Sequence, residues 1–293
     1  MDVNRAGGGL SGLAAATARR LPLRARLLLY RLGPVTRWLR RALNRVVPEG
    51  IHPVQIASGD LAGSWLLLDL HVDKDLWLGN YEPDVAEAIR RFVPAGGTAY
   101  DLGANIGYTT LLLARRVGES GKVFAFEPLA SNLERLRQAV GLNDLGGRIT
   151  IVPAAVGAKS GPSEFRVHAS GGMGRLGEGA GRDHGFVATA SVDVVTLDDF
   201  VYGQGNPPPQ TVKVDLEGGE GLALEGMGRL LREARPSLLI ELHGPEARAA
   251  AARALAEHGY GMHRMRPGYR EVDLGEAERL PKHIVALAKE RSL

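Results

Sequence analysis

Asp101 and Glu127 each close a short apolar run, Ala99-Tyr100 in the first case and Val123-Phe124-Ala125-Phe126 in the second. Gly103, Asn105 and Gly107 follow Asp101 at alternate positions, and a helical pattern opens at Tyr108. Strand, tight turn and helix N-terminus in that order form a ligand-binding edge. Glycine lets a ligand approach the backbone, and the first helical turn offers unpaired N–H groups. An acid ending the next strand stands where it can accept hydrogen bonds from ribose hydroxyls. A dinucleotide fingerprint needs glycine where Asn105 and Tyr108 stand, and no Lys-Ser/Thr pair follows to make a P-loop. Asp101 ahead of the first glycine suits a ligand amino group better than a pyrophosphate. S-adenosylmethionine carries that ammonium, a ribose and a cationic sulfur.

A second group of chemically active side chains lies further on. The strand pattern Thr211–Leu216 puts Lys213 and Asp215 on one face, because side chains two apart share a face. Glu217 and Glu220 follow on a turn, and the run Pro236–Leu242 ends in Glu241-Leu242-His243. These five carboxylate or imidazole groups converge on one sheet edge, and three readings of them stay open. His243 or Asp215 can act as general base for an acceptor hydroxyl. Asp215, Glu217 or Glu241 can hold a hard divalent cation, although the spacing is no recognised ligand set. Alternatively the acids serve helix starts, and Lys213 neutralises Asp215. A sulfonium is already an activated donor, so positioning of the attacking group supplies much of the rate. Tyr81 and Glu82 precede Pro83, where a helix to Phe92 begins; they stand beside the ligand or merely start that helix, and spacing does not choose.

At this point the chain resembles the FkbM-type methyltransferases, class I enzymes that use S-adenosylmethionine. The resemblance is carried by Leu78-Gly79-Asn80-Tyr81-Glu82-Pro83, by Asp101-Leu102-Gly103-Ala104-Asn105-Ile106-Gly107-Tyr108-Thr109-Thr110 and by Gly121-Lys122-Val123-Phe124-Ala125-Phe126-Glu127-Pro128. It continues through Ala154-Ala155-Val156-Gly157, Val195-Thr196-Leu197-Asp198-Asp199, Val212-Lys213-Val214-Asp215-Leu216-Glu217-Gly218-Gly219-Glu220 and Arg235-Pro236-Ser237-Leu238-Leu239-Ile240-Glu241-Leu242-His243. It implies that Asp101, Gly103, Asn105 and Glu127 line the cofactor site, with Ala155 near the adenine. Tyr81, Glu82, Gly107, Pro128 and Asp215 complete the candidate cofactor set. Asp215, Glu241 and His243 are the candidate catalytic residues, and no metal ligand is assigned. The acceptors implied are hydroxyls of saccharides, glycolipids or polyketide-type products.

The elements that must position these residues follow from the hydrophobic pattern. Strands are expected at 99–102, 123–127, 149–152, 211–216, 236–242, 261–265 and 283–288, and helices at 108–116, 129–140, 220–231 and 246–258. A βαβαβ order calls for right-handed crossovers and a ligand beyond the strand C-termini. The expected fold is therefore α/β: a Rossmann-like, class I methyltransferase sheet of seven mostly parallel strands with helices on both faces. Ahead of it come a basic arm over 1–48 and a β-hairpin with a helix over 49–98; the methyltransferase domain spans 99–293. The segments 165–168 and 191–197 read as further strands framing a glycine-rich span, Ser170–Gly185. That span is a surface loop or a lid over the acceptor.

The net charge of +3 hides an asymmetry. Residues 1–48 hold ten arginines, no lysine and one acid, a net +9, which leaves −6 for the remainder. A basic arm on an acidic body points to an anionic partner. Leucines and Trp38 interleave with arginines over 17–47, a pattern that suits an interfacial helix on anionic lipid, helices packed on the domain or on a second copy, or a polyanion. Arginines interrupt every apolar run there, which excludes a membrane-spanning helix. The acidic body, without an Asn/Asp-Pro-Pro-Tyr tetrapeptide, weighs against a nucleic-acid methyltransferase. The missing glycines weigh against an NAD-dependent oxidoreductase, and retention of Asp101, Asn105 and Glu127 weighs against a non-catalytic scaffold. With no cysteine, thiolate chemistry is excluded and a reducing compartment is allowed. The expected location is the cytoplasm, at the inner membrane face if the arm takes lipid.

Overall fold

The computed structural model describes residues 49–168, 174–177, 185–272 and 280–290. The arm over 17–47, and the glycine-rich span except residues 174–177 and 185, lie outside the described residues. Contacts divide the chain into two units, Met1–Tyr81 and Glu82–Leu293.

In the first unit, β1 (His52–Gln55) and β2 (Trp65–Leu68) form the expected antiparallel hairpin, with Gln55 opposite Trp65. A short helix α1 (Lys74–Leu78) follows. It is tied back to the hairpin turn where the Ser58 hydroxyl donates to the Leu78 carbonyl at 2.5 Å.

The second unit opens with α2 (Pro83–Phe92), β3 (Thr98–Leu102), α3 (Tyr108–Val117), β4 (Lys122–Phe126), α4 (Ala130–Leu142) and β5 (Ile149–Val152). An inserted sheet comes next, built from β6 (Ala155–Val156), β7 (Gly161–His168), β8 (Gly174–Leu176) and β9 (Phe186–Val195) in the order β6-β9-β7-β8. The chain then returns through β10 (Thr211–Val214), α5 (Glu220–Glu225), α6 (Gly228–Glu233), β11 (Ser237–Glu241), α7 (Pro245–Glu257), β12 (Tyr260–Arg264) and β13 (His283–Ala288). The main sheet has seven strands in the order β12-β13-β11-β10-β3-β4-β5. Strands β5, β4, β3, β10 and β11 are mutually parallel, and β13 runs antiparallel to both β11 and β12. This is the α/β sheet that the hydrophobic pattern calls for.

Alternation along the strands decides what each face buries. Tyr100, Leu102, Val212, Val214, Leu238 and Ile240 point to one side, where they pack with Leu224 and Leu231 of α5 and α6 and Leu255 of α7. On the other side the Thr211 hydroxyl donates to Phe92 at the end of α2, and Thr110 of α3 reaches Asp101. Helices therefore cover both faces.

Two expectations are corrected. The helix expected over 220–231 is two helices, because the chain breaks at Gly226-Met227. A Cβ at Gly226 would lie 2.0 Å from the Gly157 carbonyl oxygen, so the backbone must pass too close for a side chain. The restarted helix is capped from outside its own sequence: the Asp198 carboxylate accepts the N–H groups of Arg229 and Leu230, each at 2.8 Å. The glycine-rich span is not loop throughout either. Gly174–Leu176 pairs with β7, Phe165 opposite Leu176, and buries Arg175 and Leu176. Among the described residues no helix is long and apolar enough to cross a membrane.

Candidate active site

The first half of the site is made by the C-terminal ends of β3 and β4. Glu127, 4% exposed, follows β4 and faces the turn after β3. Its Oε2 accepts the Asn105 N–H at 2.9 Å; its Oε1 accepts the Leu129 N–H at 2.9 Å and the Asn132 amide at 3.1 Å. Burial pushes its carboxyl up, and those three hydrogen bonds pull it back. One lone pair of Oε2 remains for a ligand hydroxyl. Asn105 itself is exposed and holds a left-handed φ of 50°. Pro128 is half-buried beside Glu127. Ala155 sits in a small apolar cluster with Leu129, Phe165 and Val194.

The glycines serve packing more than ligand approach. Gly103 has a φ of 78°, and a Cβ there would meet the Asp215 carbonyl oxygen at 2.0 Å, so the turn after β3 is pressed against the end of β10. At Gly107, φ 99°, a Cβ would meet Leu136 at 2.7 Å. Asp101 also differs from expectation. It is fully enclosed, with Oδ2 accepting the Thr110 hydroxyl at 2.6 Å and Oδ1 3.4 Å from Lys213 Nζ. Its carboxylate thus faces protein groups rather than a ligand amine. Tyr81, exposed, is the last residue of the first unit.

The second half gathers at the ends of β10, β11 and β13. Lys213, nearly buried, is 3.3 Å from Asp215 Oδ2 and donates to the Gly103 carbonyl at 3.1 Å. Burial works against its charge, but Asp215, Asp101 and Glu82 outweigh burial and hold it above its usual value. The lysine therefore ties β3 to β10 as a permanent cation. His243 lies between four acids. Nδ1 is 2.9 Å from Glu220 Oε1; Nε2 is 3.0 Å from Glu241 Oε1, 3.6 Å from Glu217 and 3.9 Å from Asp215. Burial pulls the imidazole down, and the bonds to Glu220 and Glu241 overcome it and raise it to about 10.

Glu241 is answered by three basic groups: His243, His283 Nε2 at 2.9 Å, and Lys282. Burial alone would raise its carboxyl, yet the three hydrogen bonds hold it well below the usual range. Glu220 is wholly buried and accepts the N–H groups of Leu216 and Gly218 at 3.2 and 3.1 Å. His243 thus spends both ring nitrogens on neighbouring acids, and Glu241 has three basic partners. Charge pairing accounts for His243 and Glu241 as they stand. The same residues also bring three ligand atoms within 4.8 Å of one another in two groups, Asp215-Glu241-His243 and Glu82-Glu241-His283, so the base and cation readings stand beside it.

Lys282 and His283 carry no signal in the sequence beyond the strand expected over 283–288. The partnership of His283 with Glu241 follows from the β11–β13 register, in which the two residues stand opposite each other. Only that register reveals it. Glu82, expected beside the ligand, stands at the ends of β10, β11 and β13, with Glu241, Asp215, Lys213 and His283 as its charged neighbours.

The family model described as methyltransferase FkbM domain matches residues 101–262, more than half of the chain. A hexuronic acid methyltransferase, AglP of Haloferax volcanii, is 26% identical over 164 residues, covering 55% of this chain and 62% of that protein. The chain thus matches less than two thirds of the length of this curated relative. Among solved structures, a methyltransferase FkbM from Methylobacillus flagellatus is 20% identical, covering 65% of this chain and 43% of that one, with a TM-score of 0.41. An S-adenosylmethionine-dependent O-methyltransferase from Thermotoga maritima is 15% identical, covering 83% and 80%, also with a TM-score of 0.41. With the glycine turn, the terminal acid of β4 and the Lys-x-Asp strand all inside the matched span, the chain belongs to the FkbM methyltransferase family.

Proposed function

We propose that the chain transfers a methyl group from S-adenosylmethionine to a hydroxyl, most naturally one on a saccharide or glycolipid. The observation that carries the cofactor is Glu127. It ends β4, is oriented by three protein donors and keeps an Oε2 lone pair for a ribose hydroxyl. Bound S-adenosylmethionine supplies an activated methyl on a sulfonium. The residues present suit its positive charges, since Asp215, Glu217, Glu220, Glu241 and Glu82 outnumber Lys213, His243, His283 and Lys282 at the sheet edge. Gly103, Asn105 and Gly107 shape the turn, Pro128 and Ala155 flank the base side, and Tyr81 is the first-unit residue nearest in sequence to the site. Asp215, held by Lys213, orients the acceptor. Sugar as acceptor follows the hexuronic acid methyltransferase relative.

Calorimetric titration with S-adenosylmethionine, S-adenosylhomocysteine and NAD, on wild type and Glu127→Ala, tests the cofactor. Micromolar binding of the adenosyl ligands that weakens at least tenfold in the variant is expected; preference for NAD overturns the reading. Transfer of labelled methyl to p-nitrophenyl glycosides, with the glucuronide among them, then tests the acceptor class. The +9 arm is proposed to hold the enzyme at an anionic membrane. Liposome flotation with and without residues 1–48 checks this, and equal flotation by both forms refutes it.

A further inference from the structure

We propose that Glu82 is the general base of the reaction: its carboxylate takes the proton of the acceptor hydroxyl as that oxygen attacks. The inference rests on the methyl-transfer reading above and adds a residue role to it. The acceptor oxygen forms its bond to the methyl carbon while the carbon–sulfur bond breaks with its electron pair to sulfur. The proton released from the oxygen moves to an Oε of Glu82, so charge and atoms balance.

Elimination at the sheet edge leads to this residue. Asp215 is engaged by Lys213, Glu220 by two backbone amides and His243, and Glu241 by three basic groups. His243 is a doubly donating cation. Glu217 has 42% of its side chain exposed and lies beside His243. Among the described residues no donor hydrogen-bonds the Glu82 carboxylate, although the residue is mostly buried. One of its oxygens, an oxygen of Glu241 and a ring nitrogen of His283 lie within 4.8 Å of one another. Glu82 therefore sits in the constellation with its lone pairs unspent.

Its backbone points the same way. Glu82 occupies the N-cap position of α2 with φ 43° and ψ 64°, a left-handed conformation that a non-glycine residue adopts at a cost. Its side chain makes no capping hydrogen bond to the helix. The helix start therefore offers this acid its dipole but donates no hydrogen bond to it. The groups that face Glu82 set its basicity. Burial raises the carboxyl first, Glu241 and Asp215 raise it further, and Lys213 and His283 pull back, with Lys282 also nearby; together they push it up to about 7. A base near the working pH is the most effective kind.

The test needs no identified acceptor. Wild type, Glu82→Gln and Glu82→Asp are titrated with S-adenosylhomocysteine by calorimetry, and the Glu82 carboxyl is followed by carbon-13 NMR in the saturated wild type. The signal is assigned by its loss in either variant. Expected results are adenosylhomocysteine affinities within about threefold of one another and a carboxyl midpoint near 7. A tenfold or greater loss of affinity in Glu82→Gln overturns the inference, because it makes Glu82 a cofactor contact. A midpoint in the ordinary carboxylate range overturns it while leaving the cofactor reading standing. Failure of the wild type to bind adenosylhomocysteine removes the methyl-transfer reading, and this inference with it.

Discussion

The two halves of the site hold their acids by opposite means. At the β3–β4 edge, Glu127 is fixed by three uncharged donors, two of them, the Leu129 N–H and the Asn132 amide, within five positions of it in sequence. Only the Asn105 N–H comes from another segment, the turn after the neighbouring strand. At the β10–β11–β13 edge the acids are fixed chiefly by basic side chains, some close in sequence (Lys213 to Asp215, His243 to Glu241) and some distant (Lys213 to Asp101, His243 to Glu220, Lys282 and His283 to Glu241). The first arrangement surrounds one acid with uncharged donors. The second is an ion network whose members set one another's protonation, and it tunes a group to a chosen pH.

The comparison breaks most sharply at Lys213. Lys213→Met leaves Asp101 fully buried without its cation, and we expect a loss of about 3–5 kcal/mol of stability by denaturant unfolding. A loss below about 1 kcal/mol would mean that the network is solvated and loose. His243→Gln comes next, at about 2–3 kcal/mol, less because the ring retains some exposure and the amide keeps one bond. Its pH dependence is specific. The raised imidazole contributes fully below its unfolded value of 6.5 and loses that contribution as pH climbs through about 10, so the gap between wild type and variant should close at high pH.

Glu82→Gln should act in the opposite direction. A carboxyl raised from 4.5 to about 7 stabilises the fold while protonated and loses that stabilisation as pH rises through this window. The glutamine variant should therefore melt above wild type at pH 8, by about 1–2 kcal/mol after allowance for partial exposure, and match it below pH 4.5. With any hydroxyl acceptor that is turned over, its kcat should fall by about 10²-fold or more with little change in KM. An unchanged kcat would confine the network to a structural role. The smallest effect belongs away from both edges: Asp198→Ala removes the outside cap of α6 and should cost about 1 kcal/mol without altering adenosyl binding.

Much of this molecule is legible in its local sequence. The alternating apolar runs predict strands β3, β4, β10 and β11, and their terminal residues Asp101, Glu127, Asp215 and Glu241 mark the working edge because a parallel sheet presents its C-terminal ends to one side. The turn from Gly103 to Gly107 is legible too, since left-handed backbone is a property of single residues. The break in the helix over 220–231 is not, because its causes, Gly157 and Asp198, lie far away in the chain.

The sequence by itself determined the order of the main-sheet elements and the sheet edge where the acids gather, both of which depend on near neighbours. Tertiary structure alone decided the state of each charge. Asp101 is enclosed because Thr110 and Lys213 close over it, His243 is a cation because Glu220 and Glu241 flank it, and Glu241 is spent because β13 brings His283 opposite. Protonation depends on desolvation and on charges a few ångströms away, and those distances exist only once the sheet has formed.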